Sequence, residues 1–106
     1  MKYIFEIKIK PDHRADEYVE AWKKASELIQ DNQGARGTKL FRKINQPDTL
    51  LAIADWDSKE ARDVAMAKLH KSDMETQKIW QAPKEFGDNI KIGEFEESEW
   101  SVLPTK

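Results

Sequence analysis

The stretch from Gly34 to Ala61 constrains the fold more than any other part of this chain of 106 residues. Its sequence, GARGTKLFRKINQPDTLLAIADWDSKEA, contains a helix stop, two strands, the turn between them and the start of a second helix. Two strands joined by a short turn pair antiparallel, so the segment predicts a hairpin between two long helices. Such a hairpin is the middle of a βαββαβ chain.

The second strand of that hairpin, Thr49 to Trp56, is apolar on both of its faces. One face carries Leu50, Ala52, Ala54 and Trp56, and the other carries Leu51 and Ile53. A strand that is buried on both sides lies inside a sheet and is covered twice. The two long helices account for one cover. Since so short a chain has no obvious second layer left, the pattern predicts that another subunit provides it, as a homodimer.

The N-terminal third predicts a half-buried strand followed by an amphipathic helix. Residues 3–10 alternate between an apolar and a charged face, which is typical of a strand with one buried side. Apolar residues then recur at helical spacing over residues 15–29. Asp12 is the predicted cap of this helix, and Gly34 is the predicted left-handed residue just past its end.

The hairpin and the second long helix follow in sequence. We expect a strand over residues 36–44 and a turn over residues 45–48, where Asn, Pro and Asp cluster. Asp57 is the predicted N-cap of the second helix because Glu60 then falls at the capping-box position. Ser58 is the competing cap.

The last third of the chain predicts a short helix and a final strand. The helix starts at the second capping-box spacing, Ser72-Asp73-Met74-Glu75, and ends before Pro83. A loop over residues 83–89 leads to the last strand, Ile90 to Glu96, in which Gly93 indicates a bulge.

The length suits a single domain over residues 1–106. Its C-terminal tail, residues 97–106, contains Trp100, Val102 and Leu103. Because these side chains are too apolar for a segment that contacts only water, we expect the tail to dock on its own subunit or on the partner's.

The composition narrows the range of partners and chemistries. Lys and Arg total 18 against 20 for Asp and Glu, and a net charge of −2 argues against a nucleic-acid partner or an anionic membrane. The absence of cysteine excludes disulfides, thiolate catalysis and cysteine-ligated metal sites. No apolar run approaches the roughly 20 residues of a membrane-spanning helix. We expect a soluble cytoplasmic protein.

Three motifs carry a resemblance to a known family. They are YIFEIKIKP followed directly by a helix, GARGTKLFRKI after a helix, and a strand ending in Trp followed by DSKEA. Across about residues 2–75 the chain resembles the antibiotic biosynthesis monooxygenase superfamily. RNA-recognition domains share the element order, but the strand TLLAIADW lacks their paired stacking aromatics.

The resemblance implies an α+β, ferredoxin-like fold. It implies an antiparallel four-stranded sheet with helices on one face, and two such sheets facing each other in a dimeric α+β barrel. Haem-degrading members of the family use an Asn, a Trp and a His at positions that fall near Phe5, Ala65 and Glu75 here. Since none of the three matches, haem degradation is not expected.

The resemblance also implies a chemistry, because members of the family oxidise quinols and anthrones without metal or flavin. We expect a cofactor-independent monooxygenase that acts on a small aromatic, quinol-type compound in a pocket between sheet and helices. The side chains expected to bind the substrate are Phe5 (or Tyr3), Tyr18, Trp22, Trp56 and Trp80. Each has an alternative role as a core residue, since aromatics at helical spacing commonly pack in the interior.

Two side chains are candidates for the catalytic base. His70 is the only histidine expected near the pocket, although a histidine at a helix end is also a common solvated site. Asp55 is an acid within an apolar strand, and its alternative role is a structural ion pair with a residue such as Arg42.

Other functions stay open at this level. The sequence is also compatible with a non-catalytic small-molecule-binding or stress-related dimer, and with an isomerase or degradative enzyme of a small metabolite. No serine-hydrolase, zinc-protease, P-loop or dinucleotide motif is present. With two histidines and no cysteine, we expect no metal and no bound cofactor.

Overall fold

A computed structural model describes residues 1–105 of the chain. The strands are β1 (Lys2–Ile9), β2 (Ala35–Lys43), β3 (Gln46–Trp56) and β4 (Gly87–Phe95). The helices are α1 (Ala15–Gln30), α2 (Lys59–His70) and α3 (Met74–Gln81), and a short 3₁₀ turn (Ala82–Glu85) follows α3. The predicted βαββαβ order is confirmed, and no helix among residues 1–105 is long and apolar enough to cross a membrane.

The four strands form one antiparallel sheet in the order β2-β3-β1-β4. The helices cover one face, where alternate side chains of β1 and β3 form the core. One buried cluster contains Ile7, Tyr18, Leu50 and Ala52, and a second contains Ile29, Trp56 and Ala65. The predicted ferredoxin-like α+β fold is therefore confirmed, with β3 inside the sheet.

No helix of residues 1–105 lies on the opposite face of the sheet. Leu51 and Ile53 of β3 lie there because they alternate with the buried Leu50 and Ala52. Register pairing adds Ile4, opposite Ile53, and Phe41, opposite Leu51. This uncovered face therefore carries a group of apolar side chains, with Glu6 of β1 beside them, opposite Leu51.

The predicted cap of α1 is wrong. Asp12 has a left-handed backbone with φ 68° in the turn after β1, and the N-cap position belongs to Arg14. The Arg14 backbone N–H donates to Glu17 Oε1 at 2.9 Å. The Glu17 carboxylate thus satisfies a backbone donor at the helix start, which the side chain of Asp12 was expected to do.

At the start of α2 the competing cap is the correct one. Ser58 Oγ accepts a hydrogen bond from the Ala61 N–H at 3.1 Å, which makes Ser58 the N-cap in place of Asp57. Asp57 instead pairs with Arg36 of β2. The short helix α3 is capped by Asp73, whose carboxylate accepts from the Thr76 N–H at 2.8 Å, and ends at Gln81 as predicted before Pro83.

The hairpin is tighter than the sequence predicts. Its turn is Ile44-Asn45, with Asn45 at φ 66°, and β3 starts at Gln46 rather than Thr49. Pro47 is tolerated because β1 pairs with β3 only as far as Lys8 and Thr49. No residue of β1 therefore requires a backbone N–H at position 47, which proline lacks.

The C-terminal part differs in its loop and tail. The expected loop over residues 83–89 is instead the 3₁₀ turn and the start of β4, while the bulge at Gly93 is confirmed by a register shift between Ile4 and Phe5. Trp100, Val102 and Leu103 are 82%, 97% and 78% exposed, so the tail does not dock on its own chain. Docking on a partner stays a prediction, and Lys106 lies outside the described residues.

Gly34 joins α1 to the sheet through a close approach. It does not lie directly after the helix, because Asp31 is the C-cap, but it has the left-handed φ expected, +87°. Its carbonyl accepts from the Asp57 N–H at 2.8 Å, and a Cβ on it would lie 2.6 Å from Ala61 Cβ. Only glycine lets the loop before β2 touch the start of α2.

We expect Gly34→Ala to lower the free energy of unfolding by about 3 kcal/mol, since it combines a left-handed backbone with a steric clash. Gly37 is the matched control: its φ is +97°, but a Cβ added there would have no neighbour within 4 Å. Gly37→Ala should cost about 1 kcal/mol from the backbone alone. Urea unfolding measures both, and equal costs would show that the contact with Ala61 does not matter.

Candidate functional site

A partly open cavity of about 270 Å³ lies between the helices and the covered face of the sheet. Small side chains line it from both layers, Ala25 and Ser26 from α1 and Ala54 from β3. Its walls are largely aromatic. All five side chains that the sequence predicts to bind substrate line it, namely Phe5, Tyr18, Trp22, Trp56 and Trp80, together with Tyr3.

Two periodicities bring these side chains together. Tyr3 and Phe5 are two residues apart on β1 and therefore point to the same face, with ring centroids 5.7 Å apart. Tyr18 and Trp22 are four residues apart on α1 and lie one turn from each other. The predicted roles of these residues as core and as pocket wall coexist, because Tyr18 and Trp56 are buried and still line the cavity.

Tyr18 holds α1 against the start of β4. Its side chain is 1% exposed, and its hydroxyl donates to Asn89 Oδ1 at 2.9 Å. Gly87 allows this packing, because a Cβ there would lie 2.9 Å from both the Tyr18 ring and Ile7. Burial raises the pKa of Tyr18 to about 12, so the hydroxyl is a neutral donor at physiological pH and not a base.

The charged groups in the cavity wall are cations. Arg62 of α2, Lys84 of the 3₁₀ turn and Lys91 of β4 line it. The Arg62 guanidinium lies over the Tyr3 ring, with Cζ 3.8 Å from the centroid, which is a cation–π arrangement. Lys91 Nζ lies 5.7 Å from the same centroid and 3.2 Å from Glu94 Oε1.

Neither predicted catalytic base lies in the cavity wall. His70 is exposed at the last residue of α2 and is not among the lining residues. Asp55 points to the uncovered face of the sheet, because its neighbours Ala54 and Trp56 point to the cavity. Its ion-pair partner is Lys2, at 3.2 Å, and not Arg42 as expected. Their catalytic roles stay predictions without support from this geometry.

Sequence reasoning missed the polar lining residues, which are Ser26, Gln30, Thr38, Arg62, Lys84, Asn89 and Lys91. The sequence contains a pattern from which the position of Arg62 could have been predicted. Arg62 precedes Ala65, Met66 and Leu69 by three, four and seven residues, the spacing of one helix face, and these three belong to the buried cluster around Trp56. Asn89 had no such signal, because the sequence placed it in a loop. Among residues 1–105, no group of three His, Asp or Glu side chains is arranged to hold a metal.

The sequence profile of the antibiotic biosynthesis monooxygenase family matches residues 1–70. The chain belongs to this family. The matched residues run from β1 to the end of α2, so they include Phe5, Tyr18, Trp22 and Trp56 but not Trp80. No curated protein sequence matches the chain.

Several solved structures share the fold at low sequence identity. SnoaB from Streptomyces nogalater, a cofactor-independent oxygenase, superposes with a TM-score of 0.76 at 14% identity, covering 97% of this chain and 95% of that one. A candidate antibiotic biosynthesis monooxygenase from Bordetella bronchiseptica gives 0.64 at 18% identity, with 90% and 96% covered. A conserved protein of unknown function from Bacteroides thetaiotaomicron gives 0.60 at 12% identity, with 86% and 95% covered.

The raised pKa of Tyr18 predicts how stability depends on pH. The folded state holds the phenol proton more tightly than the unfolded state, whose pKa is near 10.0. The contribution of Tyr18 to the free energy of unfolding is therefore complete below pH 10 and is lost as pH rises towards 12. Tyr18→Phe should remove this loss of stability. It should also remove the late step, near pH 12, from the ultraviolet titration of tyrosinate. Tyr3→Phe is the control, and a late step that survives Tyr18→Phe would contradict the assignment.

Proposed function

We propose that the protein is a monooxygenase that oxidises a small aromatic, quinol-type compound without metal or flavin. The observation that carries the proposal is the cavity, which has aromatic walls, lies between sheet and helices, and belongs to a chain of the antibiotic biosynthesis monooxygenase family. The shared fold with SnoaB, itself a cofactor-independent oxygenase, agrees with it.

The size of the cavity supports a small substrate. An engineered protein cavity of about 150 Å³ binds benzene. The cavity of about 270 Å³ therefore has room for roughly two fused rings, or for three if the third reaches the opening. Flat rings would lie against Trp22, Trp56 and Trp80, where offset and edge-to-face contacts are favourable.

In this chemistry the protein needs only to bind the substrate and favour its ionisation. A quinol or anthrone that loses a proton becomes electron-rich and passes an electron to O₂, and the two radicals then combine into a peroxide. The peroxide anion takes up a proton and then loses water together with the hydrogen on the same carbon, which leaves a carbonyl. One oxygen atom of O₂ thus enters the product and the other leaves as water. The aromatic walls keep bulk water away from these intermediates.

Blocking the cavity tests the proposal. Ser26 lines the cavity from α1, and Ser26→Leu should reduce oxygen uptake with a panel of anthrones, quinols and catechols by about tenfold or more, because a misplaced ring reacts poorly. Glu27→Leu is the matched control, since Glu27 is exposed on the same helix. Uptake by the wild type should also survive treatment with a chelator. Equal uptake by the two variants would contradict the proposed site.

The assigned bases are tested in the same assay. His70→Ala and Asp55→Asn each remove one proposed base, and unchanged turnover in either variant would remove that residue from the mechanism. His13→Ala is the control for His70, since His13 belongs to the turn before α1.

A second function is favoured by one observation. Among residues 1–105 no Asp, Glu or His side chain lines the cavity, so no conventional general base faces a bound compound. This is what a non-catalytic, small-molecule-binding module would have. Ligand binding that quenches tryptophan fluorescence without any oxygen uptake would favour this alternative.

We further propose that the protein is a homodimer through the uncovered face of the sheet. Phe41, Ile90 and Phe95 are large apolar residues exposed on strands that contribute to that face, beside Leu51 and Ile53. An apolar sheet face of this kind is normally covered in a stable protein.

The dimer proposal predicts the effect of one charge at the centre of that face. Wild-type protein should have the mass of a dimer by light scattering. Leu51→Asp should give a monomer, because the new carboxylate would lie opposite Glu6 and Phe41, with no cation beside it, and cannot be buried there without cost. Val64→Asp is the control, since Val64 is exposed on α2, on the helical side of the molecule. A monomeric wild type would contradict the proposal.

A further inference from the structure

We propose that the cavity binds its aromatic ligand as an oxyanion, a phenolate or enolate, with the Arg62 guanidinium as the partner of the negatively charged oxygen. The inference rests on the proposed aromatic ligand and adds the charge state in which that ligand is held. It makes Arg62 the residue that selects the ionised form.

The balance of charge in the cavity wall is the first argument. The titratable groups that line it are Tyr3 of β1, Tyr18 of α1, Arg62 of α2, Lys84 of the 3₁₀ turn and Lys91 of β4. Three of these are cations and none is an acid of the Asp or Glu type. The nearby carboxylate of Glu94 is paired with Lys91 and does not line the cavity. A bound oxyanion would therefore meet net positive charge.

The state of Arg62 is the second argument. Its guanidinium is half-buried and stacked on Tyr3, and no carboxylate of residues 1–105 lies within 4.0 Å of it. The adjacent acid on the helix, Asp63, pairs with Lys59 at 2.8 Å instead. A guanidinium that lies over an aromatic face still has N–H donors for a further acceptor. Since Arg62 lines the cavity, a bound ligand can be that acceptor.

The consequence for a bound phenol follows from electrostatics. An opposite charge within about 4–6 Å lowers the pKa of an acid by roughly 1–3 units. The O–H bond of the ligand then breaks at lower pH, its proton leaves to water, and the electron pair stays on the oxygen beside Arg62. The cavity thereby produces the electron-rich form of the ligand without a carboxylate or imidazole base.

The test uses a phenol whose ionisation is visible. The probe is 7-hydroxycoumarin, whose neutral and ionised forms absorb differently, and coumarin without the hydroxyl is the neutral reference. Binding of each is followed by quenching of tryptophan fluorescence, and ionisation of the bound probe by its absorbance as a function of pH. The expected result is half-ionisation at least about one pH unit lower on the wild-type protein than in free solution.

Variants assign the effect to Arg62. Arg62→Gln should return half-ionisation most of the way to that of the free probe, and Arg62→Lys should retain much of the shift because it keeps the charge. Arg14→Gln is the control, since it removes one positive charge from an exposed residue paired with Asp16, and it should change nothing. Near-ultraviolet circular dichroism confirms that each variant is folded.

The outcomes separate this inference from the proposed function. If both probes bind and half-ionisation is unshifted, or shifted equally in Arg62→Gln, the oxyanion inference is wrong while the aromatic pocket stands. If neither probe quenches tryptophan fluorescence, the aromatic-ligand proposal and this inference both fall. If the shift depends on Arg62 but no compound consumes oxygen, the oxyanion site stands and the oxygenase does not.

Discussion

The apolar character of both faces of β3 is the constraint on which the rest of the molecule depends. A strand of this kind must have neighbours on both edges and cover on both faces, and the order β2-β3-β1-β4 gives it the neighbours. The helices provide one cover through the clusters around Tyr18 and Trp56. The cavity forms on that face, while the helices leave the second face uncovered.

The cavity exists because small and large side chains meet under the helices. Ala25 and Ser26 of α1 and Ala54 of β3 are too short to fill the space between the layers, while the aromatic residues around them hold the layers apart. The small side chains alone would leave a loosely packed core. The space stays open as a cavity because the aromatic side chains around it are rigid and are held by contacts at its edge. Tyr18 shows this most clearly, because the hydrogen bond to Asn89 and the close approach of Gly87 both fix its position.

Much of this was accessible from the sequence because it depends on periodicity. Alternation in β1 and β3 and the apolar stripe of α1 predict which side chains point inward, and those predictions place Phe5, Trp22 and Trp56 around one cavity. What was missed depends on helical phase and on single hydrogen bonds. His70 lies five residues after the buried Ala65, and at about 100° per residue this turns it well away from the core. The predicted N-caps Asp12 and Asp57 are wrong. The side chains that accept the hydrogen bonds at these two helix starts are Glu17 and Ser58, and local geometry decides between several polar residues that could do so.

The bulge at Gly93 has a consequence for how copies of this chain associate. The sheet has two edges, β2 and β4, and an open edge invites another strand to extend the ladder without limit. The extra residue in β4 breaks the regular spacing of hydrogen-bonding groups along one edge. The other edge carries Lys39, Arg42 and Lys43, whose charges repel a second copy of itself. Growth sideways into a fibre is therefore disfavoured at both edges of the sheet.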